Sequence, residues 1–428
     1  MFLRDFITLY FLIDFINYVL IFIKTIIRMY SSSSSSKDRR IKVIQANIRR
    51  KLLAGKTSLL KREVFLPDVL KSDKYSSASK VQNFLKSTFF ANRFTLDTRI
   101  YYYAYISKKI KSVSSDECLR EKDFSGTHGF TIKNVVDLEK KIGTDSFNGS
   151  IYKTSIKNVL GAFPLATKLM EYNEANNTEV SVMTDITQKI ILQKKSKHFL
   201  INYKTCVCRE EDYPKERKLI SINEIANGDL NSLLDNSKNA NNKELFFNLM
   251  FQCFISVGTF HNSITSVHQD IHAGNFLWHL NNEKGYYHYI FNGNSFYLKS
   301  CKYNVMLYDF GYAGKIRSKK SILKILSDYT EIITTFLKNE FEEDIAPPTD
   351  EIIASLYELI DILMVEYKVI SSKYSATESS PESKSKSYQQ IYFNYILNNI
   401  LIPFSFDNML VTVKPSNIIN KNPYYIDI

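Results

Sequence analysis

In the stretch "SVHQDIHAGNFLW" an acid, Asp270, and an amide, Asn275, stand five residues apart, with His268 and His272 around the acid. Phosphoryl transfer to a hydroxyl needs a group that orients the nucleophile, ligands that place magnesium on the phosphates, a cation that holds them and a tight backbone cover. Asp270 can accept a hydrogen bond from an incoming hydroxyl, and Asn275 offers a neutral oxygen to magnesium. Thirty-nine residues beyond Asp270, in "YDFG", Asp309 follows the apolar run Val305, Met306, Leu307 and precedes Gly311. That places a second carboxylate at the end of a buried strand, released by a glycine.

Two other readings compete. Asp270 and Asn275 can simply cap a turn, as short polar side chains do. His268 and His272 share the i, i+4 spacing of the "HExxH" zinc pair, but that motif needs a central glutamate and a continuous helix. Gly274 and the loop context argue against both.

The elements around the motif have to hold it. "IGTDSFNGSIYKTSI" reads as a glycine-containing turn between strands, followed by the strand-like "NVLGAFPLATKLMEY". "TEVSVMTDITQKIILQ" spaces Val182, Ile186 and Ile190 as a helix does. "HFLINYKTCVC" and "RKLISINEI" read as two further strands. Beyond Asp229 helices dominate, notably "NKELFFNLMFQCFISVGTFHN" and "KSILKILSDYTEIITTFLKNEF", separated by a hairpin-like segment that runs into "YDFG". A small sheet with one helix, then a mostly helical region, predicts two lobes with a cleft between them.

With 44% hydrophobic and 14% aromatic residues among 428, most of the chain can bury a core. The net charge of +12 is uneven: ten Lys or Arg stand against one acid between Lys37 and Arg62. That run suits an anionic partner or membrane surface. No zinc-finger spacing or aromatic-studded basic strand accompanies it, so no specific nucleic acid is expected. Residues 1–28 are apolar but carry Asp14 centrally. They read as a membrane anchor or, if Met29 is the start, as untranslated. Residues 29–62 are a Ser-rich and basic linker, and 371–387 a flexible insert between helices. Five scattered cysteines predict free thiols, with Cys206 and Cys208 together in a strand.

Taken together, the motifs resemble the protein kinase superfamily. "HQDIHAGN" is similar to its catalytic loop, which implies that Asp270 is the catalytic aspartate and Asn275 a metal-binding asparagine. "DFG" implies that Asp309 is the second metal ligand. "IGTDSFNGSIY" is similar to the phosphate-covering loop, with Gly143 and Gly149 at its outer positions, Phe147 near its tip and Ile151 over the nucleotide. It departs by one extra residue and by Asp145 where the middle glycine belongs. "PLATK" resembles the strand that presents the phosphate lysine, here Lys168. Glu179 is the best helix partner for that lysine, with Glu171 and Glu174 as alternatives. "NEIANGDLNSLL" resembles the interlobe hinge, where Glu224 to Ala226 would bond adenine through the backbone and Asp229 would lie near the ribose. His261 matches a buried histidine before the catalytic loop, and Asp328 a structural aspartate of the large lobe. The resemblance implies a bilobal, kinase-like α+β fold using ATP and Mg2+, with Mn2+ as an alternative ion. Its small β-rich lobe and hinge would span 131–226 and its larger, mostly helical lobe 227–428, after an N-terminal extension at 63–130.

Departures bear on the acceptor. Gln269 replaces the arginine of "HRD", which argues against activation through a phosphorylated loop. His272 stands where serine/threonine kinases carry a lysine, a position it shares with aminoglycoside- and choline-type small-molecule kinases. The longer combination of "VHQDIHAGNFLW", the insert "YYHYIFNGNSFYL", "VMLYDFGYAG" and "SDYTEI" resembles the divergent kinases of large DNA viruses, including the poxvirus virion enzymes. This implies a serine/threonine protein kinase acting on virion or membrane-associated proteins, in the virion or host cytoplasm. A small-molecule kinase is the second reading and a pseudokinase scaffold the third.

Overall fold

The computed structural model describes residues 95–113, 119–124, 126–146, 149–156, 165–209, 217–317, 321–337, 348–375 and 388–427, and every statement below concerns these. The apolar segment 1–28, the basic run 37–62 and Phe147 lie outside them. No described helix is long and apolar enough to cross a membrane.

The chain folds as a mixed α+β structure. Helix α1 (Leu96–Lys109) starts at Thr95, whose hydroxyl accepts from the Thr98 amide, and its ends carry Asp97 and Lys108–Lys109 in the senses that suit the helix dipole. Strands β1 (Leu119–Phe124), β2 (Thr127–Ile132), β3 (Val136–Ser146), β4 (Gly149–Ile156) and β5 (Leu165–Glu171) follow. Helix α2 (Glu174–Ile186) is capped by Asn173 and continues as a π-helical turn, Thr187–Ile191. It buries Val182, Ile186 and Ile190 as their spacing requires. Strands β6 (Asn202–Arg209) and β7 (Arg217–Glu224) complete a seven-stranded antiparallel sheet in the order β1-β2-β3-β4-β5-β7-β6.

One expected boundary falls inside a strand. Strands β1 and β2 belong to the same sheet as β3 to β7, and Leu96 and Ile106 of α1, with Ile110 at its C-cap, join the common core. The described part of 63–130 is therefore integral, and a boundary at 130/131 would cut β2. The aromatic run "RIYYYAYISKKI" lies largely on α1, where Tyr102 and Ile106 are buried. The thiol expectation also changes: Cys208 is disulfide-bonded, while Cys206, Cys253 and Cys301 are free.

Next come β8 (Gly228–Asp229) and the short helices α3 (Leu230–Leu234) and α4 (Ser237–Ala240), then the long helix α5 (Lys243–Ile264). Helix α5 is apolar on nearly all sides and is buried almost end to end, as a core helix must be. It stops at Thr265, which takes the left-handed conformation with φ 55°. Strands β9 (Ser266–Val267), β10 (Phe276–Leu280), β11 (Tyr286–Phe291), β12 (Asn294–Lys299), β13 (Tyr303–Leu307) and β14 (Gly314–Lys315) surround the motif region. Helix α6 (Ser321–Leu337) buries Ile322, Ile325, Tyr329, Ile332, Ile333 and Phe336 on one face. Helix α7 (Asp350–Ser375) runs five residues into the segment read as a loop, so 371–375 are helical. Helix α8 (Tyr388–Ile396), strand β15 (Leu410–Val411) and strand β16 (Tyr424–Tyr425) close the chain, the last two as edges of a sheet ordered β15-β12-β11-β16.

Candidate active site

The two carboxylate motifs are brought together by one strand pair. In the antiparallel register of β10 and β13, Phe276 faces Leu307. Asn275, just before β10, and Tyr308, just after β13, therefore sit at the same end, and the Tyr308 amide donates to the Asn275 carbonyl at 2.9 Å. Asp309 follows with φ 59°, a left-handed conformation uncommon for a residue with a side chain. Its neighbour Phe310 is buried between Phe260, 5.0 Å centroid to centroid, and His268, 5.4 Å. The apolar ring anchors the turn from below and leaves the carboxylate a quarter exposed.

Lys168 sits in the middle of the sheet, opposite Ile151 of β4 and Ser221 of β7. Cross-strand partners share a face, so Ile151 and Lys168 project to the same side. The Lys168 ammonium donates to both carboxylate oxygens of Glu179, at 2.7 and 2.9 Å, and lies 3.7 Å from Asp309 Oδ1. Of the three glutamates considered, Glu179 on α2 is the one that meets it. Burial alone would pull Lys168 down, but Glu179 and Asp309 more than offset that and hold it above the ordinary lysine range. A side chain on Gly311 would come within 3.4 Å of Asp309 Oδ1 and 3.8 Å of Glu179 Oε2, so α2, β5 and the turn after β13 converge on one point.

Asp270 lies half-buried in the loop after β9. Asn275 Nδ2 donates to its backbone carbonyl at 2.9 Å and to its Oδ2 at 3.1 Å. With the amide nitrogen so committed, the Asn275 oxygen is the atom left to act as a ligand. The Gly274 amide donates to His272 Nδ1 at 3.1 Å, so in the neutral ring the proton sits on Nε2, which faces Asp270 Oδ2 at 3.6 Å. The His272 imidazole, working against burial and helped by Asn275, holds Asp270 below the usual aspartate range. Two donors crowd Oδ2, and Oδ1 is the oxygen left to accept from an incoming group.

The loop is suspended from below. Asp328 on α6 takes the His268 amide at 2.7 Å and the Gln269 amide at 2.8 Å, and also bonds His261 Nε2 at 2.7 Å. The two residues singled out as structural, His261 and Asp328, are thus direct partners. Gln269, with φ 64°, donates from its side-chain amide to the Tyr312 carbonyl at 2.7 Å and accepts from Lys324.

At the other edge the residues serve differently. Glu224 has its amide bonded to the Ile201 carbonyl and its carboxylate to Arg99. The Ile225 carbonyl is occupied by His279 Nε2 at 2.9 Å, which leaves the Ala226 backbone without a partner among the described residues. Asp229 caps α3, its Oδ1 accepting from the Ser232 amide at 2.7 Å. Gly149 has φ 128°, and a Cβ there would stand 2.4 Å from the Leu169 carbonyl oxygen, so only glycine lets β4 lie this close to β5 at the hairpin end. Gly143 lies in β3.

The zinc alternative is not supported by this geometry. His268 and His272 flank a loop residue rather than a helix turn, and their Nε2 atoms face the Tyr308 carbonyl and Asp270. Among the described residues no three His, Cys, Asp or Glu side chains converge on a metal position. Magnesium makes a smaller demand, one or two carboxylates completed by phosphates and water. Asp309 and Asn275 carry oxygens of the kind magnesium takes.

Sequence reasoning missed Arg99, His279 and Glu331. Arg99 lay inside an aromatic run with no motif around it, and nothing local marks a residue whose partner is 125 positions away. No protein-family model matches the chain, and no curated protein matches it.

Proposed function

We propose that the chain is an ATP- and Mg2+-dependent phosphotransferase with a bilobal, kinase-like fold, acting as a serine/threonine protein kinase of the type encoded by large DNA viruses. The observation that carries this is the buried Lys168–Glu179 pair standing 3.7 Å from Asp309, a carboxylate that one strand pair ties to Asn275 and Asp270. A lysine with this much negative charge around it stays cationic and is placed to hold the phosphates of a nucleotide. Asn275 and Asp309 would hold magnesium, which when bound neutralises charge on those phosphates. Asp270, kept ionised, orients the acceptor hydroxyl through Oδ1, and its lowered proton affinity fits alignment better than early proton removal. Ala226 offers its backbone to adenine. Residence in the virion or host cytoplasm, and virion or membrane-associated substrates, follow from the motif resemblance.

A small-molecule kinase is the second reading, favoured by His272, whose Nε2–H is turned to Asp270 where a lysine would reach the transferred phosphate. Purified protein incubated with labelled ATP, virion proteins, basic proteins, aminoglycosides and choline separates the readings. Label in protein serine or threonine supports the first, and label only in small molecules sinks it in favour of the second. ATP binding without transfer would point to a scaffold. Asp270→Asn is expected to lower the rate on the order of 10²–10³-fold, and full activity in that variant refutes the assignment.

A further inference from the structure

We propose that Glu331 is a positioning residue for Asp270, acting through the backbone amide of Ile271. The inference rests on the phosphotransferase reading and adds a residue to its machinery. Glu331 lies on α6 three positions beyond Asp328, so the two carboxylates share a helix face. Asp328 takes the amides of His268 and Gln269, while Glu331 Oε2 takes the amide of Ile271 at 3.2 Å. Asp270 is the residue between these anchors. Its backbone is gripped on both flanks by one rigid helix, and the Ile271 side chain is buried beneath it. The other Glu331 oxygen accepts from Ser327 Oγ at 3.0 Å, one helical turn back, which fixes the carboxylate.

The position is costly for a charge. Burial pushes the Glu331 carboxyl up, and the carboxylates of Asp328 and Asp270 push it further. No cation is paired with it among the described residues. A third acid would be a poor choice for packing alone, and its return is the fixed peptide between Asp270 and Ile271. Placing a reacting group to within a fraction of an ångström is worth a large factor in rate.

The test uses the full chain as Glu331→Ala, Glu331→Gln and wild type, read by kcat, KM for ATP, melting temperature and amide hydrogen exchange at 268–272. Glu331→Ala is expected to lower kcat about 10-fold or more. KM for ATP and melting temperature should hold, and exchange at Ile271 should speed up. Glu331→Gln, which keeps an acceptor oxygen, should recover most of the rate. An unchanged kcat in Glu331→Ala overturns the inference, as does a loss matched by a rise in KM and a fall in melting temperature. Failure of the underlying reading shows instead in the wild type, as no transfer to any acceptor. In that case Glu331 positions nothing catalytic and the inference falls with it.

Discussion

The Arg99 guanidinium straddles the Glu224 carboxylate, with Nε 2.9 and 3.1 Å from its two oxygens and Nη2 2.8 Å from one, and neither side chain is more than 9% exposed. The same guanidinium donates to the carbonyls of Lys197 and Phe199. Helix α1 is thereby tied to the end of β7 and to the segment between α2 and β6. Burial would raise Glu224, but Arg99, His279 and the Ile201 amide more than offset it and hold the carboxylate below its ordinary range.

Arg99→Met is expected to destabilise the protein by about 3–5 kcal/mol, because it leaves a buried carboxylate uncompensated. The double variant Arg99→Met with Glu224→Met should recover much of the loss. Chemical denaturation of the cycle checks this, and additive losses would mean that the two residues do not act as a pair. The pH sense is also fixed. Glu224's contribution is present above the usual glutamate range and is lost as pH falls through its lowered folded value, so wild type should lose stability in acid with a component absent from the double variant.

On the proposed reading, Lys168→Met should lower kcat on the order of 10²–10³-fold, as expected for removing a preorganised charge from a phosphoryl-transfer site. The fold should survive, because Glu179 can take up a proton once its partner is gone. Proton uptake on unfolding should therefore differ between the variant and wild type. Steady-state rates and the pH dependence of the denaturation midpoint measure the two effects separately.

Gly149→Ala forces a Cβ to within 2.4 Å of the Leu169 carbonyl at φ 128°. The expected cost is about 1–3 kcal/mol or more and, on the proposed reading, a raised KM for ATP, because β4 must move away from β5. Gly293→Ala is the control. Its φ is 74°, but nothing stands within 4 Å of the added carbon, so it should lose backbone energy alone and leave KM where it was.

Lys197 is buried beneath the Tyr287 ring, 3.3 Å from its centroid, and burial pulls its ammonium down to about 7. A lysine whose folded value is depressed costs stability while it is charged. That cost should fade as pH rises from about 7 toward the free lysine value of about 10.4. Lys197→Met should therefore gain more, relative to wild type, at pH 6 than at pH 9. Denaturation midpoints at both pH values decide it, and parallel curves would mean that Lys197 does not titrate as stated.

The sequence made the strand–helix–strand order from Gly149 to Glu224 legible because its periods are local and regular. It also marked Lys168, Asp270, Asn275 and Asp309, since each stands in a short motif, while Glu179 was one of three glutamates that could meet Lys168. It did not show that β1 and β2 join the sheet: "LREKDF" is polar and its partner residues are recognisable only once β3 is placed. Cys208 read as one half of a spacing without meaning, because disulfide pairing is a matter of three-dimensional approach. Glu331 looked like one more acid on an amphipathic helix, and only the loop hanging from that helix gives it a role.

Gln269 holds the Tyr312 carbonyl with its amide and takes a bond from Lys324, spanning the turn after Gly311 and the face of α6. The glutamine side of those bonds is neutral, so on the proposed reading the turn after Gly311 is held to the loop of Asp270 without an ion pair.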